Sequence, residues 1–294
     1  MYLRLFEGDE DMKFCFVILH YLADKDTIEC IDSIERLDNS NDTSIIVVDN
    51  FSNNGSIERV EEFVASLDNC SIIKNKENLG FAKGNNVGYK YVIQMHPGAF
   101  VIVLNNDTII EQKDFLKKIE NSYQENAFAV MGPDIISLVD KGHQNPLGKV
   151  PDKKTLKKQV FKFEILLILS KLGVYNIFQG LFGKREKLST IRAKKSPSTV
   201  LSDRALHGAC LIFSPLFTTQ MKEAFCSETF LYKEEFILQK ICERNKLKMF
   251  YDSRVEIYHK EDSSTNMVVS SAKEKREFLF KNLIESSKVL LKYI

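Results

Sequence analysis

Apolar runs and amphipathic stretches alternate through the first half of the chain. FCFVIL (14–19) is a continuous run of β-branched, aromatic and aliphatic residues, the pattern of a strand buried on both faces. DTIECIDSIERL follows it and carries Ile28, Ile31, Ile34 and Leu37 at near-helical spacing. The unit repeats: SIIVVDN ends a second run at Asn50, Gly55 to Leu67 sets Ile57, Val60, Val64 and Leu67 on one helical face, and CSIIKN reads as a third strand. A helix bearing Gly80, Gly84 and Gly88 comes next, then the strand FVIVLNND (100–107) and the amphipathic KDFLKKIENSY. Further on, HGACLIF reads as a turn into a strand. Strands alternating with helices predict an α/β fold whose parallel central sheet is covered by helices on both faces.

In such sheets ligands bind outside the carboxyl ends of the strands. The four ends lie at His20 and Tyr21, at Asp49 and Asn50, near Asn75, and at Asn105, Asn106 and Asp107. One Asp or Asn in such a place is ordinarily a turn former or a helix cap; several on one edge point to a site. The glycines at 80, 84 and 88 recur every four residues, although each costs a helix about 1 kcal/mol relative to alanine. Close packing on the sheet is the simpler reason, and helix N-terminal amides open to a phosphate are the other. No G-x-G-x-x-G follows the first strand and no G-x-x-x-x-G-K-[ST] occurs anywhere, so the usual dinucleotide and P-loop sites are not supported.

With 294 residues, 44% of them hydrophobic and 28% charged, the composition is that of a soluble chain forming one large domain or two small ones. A net charge of +1 argues against nucleic acid as the main partner. The charge is uneven, however. Between Lys153 and Lys195 twelve Lys or Arg face only Glu164 and Glu186, interleaved with FKFEILLILSKLGVYNIFQGLF. Such a basic amphipathic segment either lies on an anionic membrane surface or folds onto the domain with a solvated basic face. AKEKREFLFKNLIESSKVLLKYI, at the C-terminus, has three uses open to it: docking, dimerisation to a homodimer, or membrane contact. The six cysteines form no C-x-x-C pair, which favours reduced, mostly buried thiols over structural zinc. Met1 to Lys13 lacks an apolar signal core, and the best apolar run is interrupted by charge and shorter than the roughly 20 residues of a spanning helix. A cytoplasmic protein is expected.

VVDNFSNNGS, NLGFAKGNNVG, VLNNDT, HGACLIF, FLYKEEFIL and VEIYHKEDSS occur in one order over residues 13–265. In that order and at about those separations the chain resembles the inverting family 2 glycosyltransferases of GT-A fold. Its nearest likeness is to rhamnosyltransferase-like enzymes of bacterial surface polysaccharide assembly. The resemblance implies a GT-A domain at 13–265 with a Rossmann-like, mostly parallel sheet. It also implies a basic, partly helical insert at about 140–200 and a C-terminal amphipathic helix at 266–294. The implied activity is hexosyl or rhamnosyl transfer from a nucleotide-diphosphate sugar to a saccharide acceptor, lipid-linked, in capsule, O-antigen or other surface polysaccharide synthesis at the inner face of the cell membrane.

The resemblance also assigns roles. Asp49 recognises the nucleotide base, and His20 and Tyr21 line the base pocket largely through their backbone. Asn50, Asn78 and Asn106 join the nucleotide-sugar site, and Lys83 faces the diphosphate. Asp107 and His259 hold a divalent metal, Mg²⁺ or Mn²⁺, which neutralises the leaving diphosphate. Glu235 is the catalytic base, with Glu234 beside it. Gly208 and Ala209 are small enough for donor sugar and acceptor to approach, and Ser263, Ser264 and Thr265 belong to a loop over the diphosphate. Two departures stand out: Asn105 and Asn106 occupy places where the family often has acids, and Ile237 replaces an acid two residues after the base. Two alternatives remain. A sugar nucleotidyltransferase would need a glycine-rich basic loop after the first strand, where HYLADKDT has none; a noncatalytic nucleotide-sugar-binding module would keep the fold alone.

Overall fold

The computed structural model describes residues 12–176, 198–201, 203–261 and 271–294. Ser263, Ser264 and Thr265, like the part of the basic segment from 177 to 197, lie outside the described residues.

The predicted alternation is present. Strand β1 (Phe14–His20) leads to α1 (Asp24–Glu35), β2 (Thr43–Asp49) to α2 (Ser56–Val64), β3 (Cys70–Lys74) to α3 (Gly80–Met95), and β4 (Phe100–Asn105), through the two-residue β5 (Thr108–Ile109), to α4 (Phe115–Asn126). β3, β2, β1 and β4 lie side by side in that order, all parallel. Their registers pair His20 with Asp49, Asp49 with Lys74 and Leu19 with Asn105, so the polar strand ends form one level edge. β1 is buried along almost its whole length, as a strand covered on both faces must be. One face packs Phe16, Ile18, Val47 and Ile102 against Ile31 and Ile34 of α1 and Val60 of α2. The other packs Val17, Val48 and Val103 against Ala82, Tyr89 and Val92 of α3.

Beyond β4 the sheet turns mixed. β8 (Cys210–Phe213) is antiparallel to β4 and to β6 (Val130–Ser137). β6 runs parallel to the long β9 (Met249–His259), which also pairs antiparallel with β5 and with β7 (Thr199–Leu201). The mostly parallel sheet expected from the sequence is present, with the antiparallel pairings gathered beyond β4. Gly132 and Pro133 disguise β6, because both weaken a strand signal; the structure accommodates them beside a register shift between Pro133 and Asp134.

The described residues also hold α5 (Lys153–Lys171), the short α6 (Pro215–Thr218), α7 (Glu234–Arg244) and the C-terminal α8 (Ala272–Leu290). α5 lies along α8 and α7 touches both, through Leu156, Ile237, Val289 and Leu290. The C-terminal helix thus docks on the domain. Ile237 is fully buried in that contact, which accounts for an apolar residue at this position. All six cysteines are free, and five of them are buried. Among the described residues no helix is long and apolar enough to cross a membrane.

Close packing accounts for the glycine helix. A Cβ on Gly84 would lie 2.6 Å from Leu19 Cδ1, and one on Gly88 would lie 2.5 Å from Val17 Cγ1, both on β1. At Gly80, where φ is +76°, a Cβ would lie 2.3 Å from the carbonyl oxygen of Phe230, in the loop that leads to α7. The first amides of α3 are taken inside the protein: Gly80 N donates to Asn78 Oδ1 at 2.9 Å and Phe81 N to Phe230 O at 2.7 Å. These two are not open to a phosphate.

Candidate active site

A cleft of about 290 Å³ opens at the carboxyl edge of β4, where Asn105, Phe81 of α3, the His207–Ala209 turn and the start of α7 meet. Glu234 and Glu235 begin α7 and both line it. They are presented by a tight entry in which Tyr232 and Lys233 have φ of +76° and +69°, left-handed values that non-glycine residues adopt only under structural constraint. Phe81 N and the bare Cα of Gly80, both against the Phe230 carbonyl, pin this entry to α3. Gly80→Ala is therefore expected to cost about 1–3 kcal/mol and to lower turnover as well, because the backbone that must move carries Glu235. Urea denaturation and initial rates on the same preparation check both effects.

Gly208 supplies the opposite wall. Its own Cβ would lie 3.0 Å from Glu235 Oε1, and its backbone amide hydrogen-bonds the Glu235 carboxylate. Burial pushes the Glu235 carboxyl pKa up, against that bond and the nearby Lys233 ammonium. Glu234 is only 2% exposed and its Oε1 has no partner; burial, then the charge of Glu235, raises its pKa as well.

Asp107 and His259 come together. Asp107 follows the end of β4, His259 ends β9, and the β5–β9 pairing of Thr108 with His259 brings Asp107 Oδ1 to 3.2 Å from His259 Nε2. The tautomer of His259 follows from its other neighbours. Gln144 Nε2 donates to the Glu261 carboxylate at 2.9 Å, so Gln144 Oε1 faces His259 Nδ1 at 2.8 Å and accepts its proton. With Nδ1 engaged by Gln144, Nε2 is the ring nitrogen that faces the Asp107 carboxylate, and a cation can lie between the two. Two donors on one ion at about 2.1 Å and a near-right angle are about 3 Å apart, so this pair fits. Among the described residues no group of three or more His, Cys, Asp or Glu side chains could hold a metal.

His207 stands between the two halves. Its ring lies 5.8 Å from that of His259 and it also lines the cleft. Ala209 N donates to its Nδ1 at 3.1 Å, and burial, with His259 nearby, pushes its pKa down to about 3. His207 is thus a neutral ring with its proton on Nε2. Neither it nor Gln144 was marked by the sequence pattern. The adjacency of His207 to Gly208 was its one signal; Gln144 lies 115 positions from the histidine it orients.

The remaining predicted residues occupy the other part of the edge, and most are engaged within the protein. Asp49 is buried and its two carboxylate oxygens accept from Ser52 N at 3.1 and 3.3 Å. His20 is fully buried between Thr27 Oγ1 at 2.7 Å and Ser56 Oγ at 3.0 Å; burial lowers its pKa. Tyr21 is half-buried beside it. Asn50 was expected to touch the donor, but its side chain is a brace: Nδ2 donates to Asn78 Oδ1 and Gly80 O, and Oδ1 accepts from Asn75 Nδ2 and Leu79 N. That occupies all four of its hydrogen-bonding positions. Asn78 Oδ1 is likewise taken, by Asn50 and Gly80 N. Asn106 turns into the start of α1, donating to Thr27 Oγ1 at 3.1 Å. Lys83 is exposed on α3. Asp49 does not line the cleft around Glu235 but shares its sheet edge, on the far side of β1.

Solved structures of similar fold include residues 1–349 of TarS from S. aureus, 17% identical over 85% of this chain and 60% of that one, with a TM-score of 0.54. The same TarS fragment in complex with UDP-GlcNAc gives 0.54 at 16% identity, covering 89% of this chain and 62% of that one. GalNAc-T7 with UDP, GalNAc and Mn²⁺ gives 0.59 at 12% identity, covering 93% and 48%. The chain spans less than two thirds of each of these, and at such identities the likeness is one of fold. No curated protein matches the chain. The family model for glycosyl transferase family 2 matches residues 15–191, more than half of the sequence. The parallel strands that lead to Asp49 and Asp107 fall within that match, and the chain belongs to glycosyl transferase family 2.

Proposed function

We propose that the protein is an inverting glycosyltransferase that moves a sugar from a nucleotide-diphosphate sugar to a hydroxyl of a saccharide acceptor. The further reading is that the acceptor is lipid-linked and that the product is a bacterial surface polysaccharide, with a sugar of hexosyl or rhamnosyl type. One observation carries the activity: a carboxylate, Glu235, lines a cleft together with His207, whose ring lies 5.8 Å from that of His259 in the Asp107–His259 pair.

In this reading Glu235 removes the acceptor proton as the acceptor oxygen attacks the anomeric carbon and the bond to the diphosphate breaks on the opposite face. Gly208 has no side chain to obstruct the approach, and its amide orients the Glu235 carboxylate. Burial of Glu235 raises its proton affinity toward the working pH, which suits a general base. Asp107 and His259 would hold a divalent ion, Mg²⁺ or Mn²⁺, which when bound would supply positive charge for the leaving diphosphate. Gln144 and Glu261 fix the His259 ring for that purpose, as outer partners of metal-binding histidines commonly do. Asp49 recognises the base, and Asn50 and Asn78 hold the loop in front of α3 in place. His207, its Nδ1 held by Ala209 N, lines the same cleft as a neutral ring.

A thermal-shift panel of nucleotide-diphosphate sugars with Mn²⁺ tests the reading, beginning with UDP sugars because neighbours of this fold are known with UDP ligands. A donor at about 100 times its Kd should stabilise the fold by about 2.7 kcal/mol, and chelation of the metal should diminish the shift. A panel in which no donor moves the melting temperature would remove donor binding.

A further inference from the structure

Helix α5 is covered along one side and bare along the other. Inward, Leu156 joins Val289 and Leu290, the Phe163 ring stacks 5.8 Å from that of Phe280, and Ser170 Oγ donates to Glu277 at 3.0 Å. Outward, Lys154, Lys158, Phe161, Ile165, Ile168 and Leu172 follow one another at steps of three and four residues. At 3.6 residues per turn they fall within a sector of about 80° and span about 27 Å. All six are exposed, Phe161 to 65%, Ile168 to 57% and Leu172 to 69%.

Such a stripe is not an ordinary solvated helix face. Nine large hydrophobic residues are exposed among those described, and four of them are on this line; a contiguous patch of that kind marks an interaction surface. Its charge identifies the partner. Lys153, Lys154, Lys157 and Lys158 surround an open hollow floored by Phe161, and among the described residues none of Lys154, Lys157 and Lys158 has a carboxylate partner. Glu164 lies off the stripe and is engaged by Lys288 at 2.7 Å. Cations at one end and bare Phe, Ile and Leu at the other match the layering of an anionic bilayer surface, with headgroup phosphates outside and the acyl boundary beneath.

We propose that the outer stripe of α5 docks on an anionic membrane surface. Lysines 154, 157 and 158 contact lipid phosphates, and Phe161, Ile165, Ile168 and Leu172 enter the acyl boundary. The proposal stands apart from the chemistry of the cleft, because none of these residues lines it.

Co-sedimentation of the full chain with vesicles tests it, using phosphatidylcholine alone or mixed with phosphatidylglycerol. The wild type should partition onto the mixed vesicles and weaken as salt rises. Each lysine near such a surface is worth about fivefold, so Lys154→Glu, Lys157→Glu and Lys158→Glu together should lower the partition coefficient by at least about 10²-fold. Phe161→Ser with Ile168→Ser should weaken binding at every salt concentration. All five positions are exposed, so melting temperatures should hold. Absence of wild-type binding, or equal partition onto both vesicle types unaffected by salt and charge reversal, would overturn the proposal. So would a wild-type dimer that the Phe161→Ser, Ile168→Ser variant converts to monomer without any vesicle binding; that result would give the stripe to a second copy of the chain.

Discussion

Glu235→Gln is expected to lower turnover by about 10²- to 10⁴-fold, the usual cost of losing a general base, while donor binding stays nearly intact. Glutamine keeps the length and shape that sit against Gly208, where space is so limited that a Cβ on the glycine would already lie 3.0 Å from the carboxylate. What disappears is the proton acceptor. The pH profile supplies an independent check. Burial raises the pKa of Glu235, so its base form is lost on acidification at a higher pH than for an exposed glutamate. The acidic limb of kcat/KM should accordingly lie above the ordinary glutamate range of about 4.3, and the glutamine variant should lack it. Initial rates across pH at saturating acceptor provide both readings, and undiminished transfer by the variant would take Glu235 out of its role.

Asp107→Asn should act beyond His207, at the Asp107–His259 pair, and on a different quantity. The substitution preserves shape but removes the negative charge that faces His259 Nε2 at 3.2 Å. Donor binding should lose its metal dependence and fall by at least about 10²-fold, since disturbing even the outer partners of a metal site costs 10- to 100-fold. Calorimetric titration of UDP in the presence of Mn²⁺, repeated after chelation, separates the variant from Glu235→Gln, which should retain the metal-dependent component. Donor binding in Asp107→Asn that still responds to Mn²⁺ as in the wild type would place the ion elsewhere.

How much of this was legible in the sequence depended on burial. β1, β2 and β4 are covered on both faces, so their apolar runs are continuous and their polar ends conspicuous; Asp49 and Asp107 could be located from those ends. β6 carries Gly132 and Pro133 in its middle, and only the partner strands reveal why they are tolerated: a Cβ on Gly132 would lie 2.5 Å from Leu206 Cδ2. The glycines of α3 were legible as a packing face, yet their tightest neighbour, the Phe230 carbonyl, is 150 positions away and joins that face to the loop that leads into α7. Asn50 shows a different limit. A carboxamide at a strand end serves a ligand or a loop equally well, and only the four partners it finds on folding decide between them. His207 and Gln144 escaped notice because their roles come from neutrality and tautomer, which depend on neighbours that the fold brings from far along the chain.

The most direct test of the account is anomalous diffraction at the manganese edge from crystals grown with UDP and Mn²⁺. The account predicts one strong peak in contact with both Asp107 and His259, with the diphosphate on its open side and the uracil toward Asp49. A peak remote from that pair, or a nucleotide bound away from the carboxyl edge of β1, β2 and β4, would contradict it.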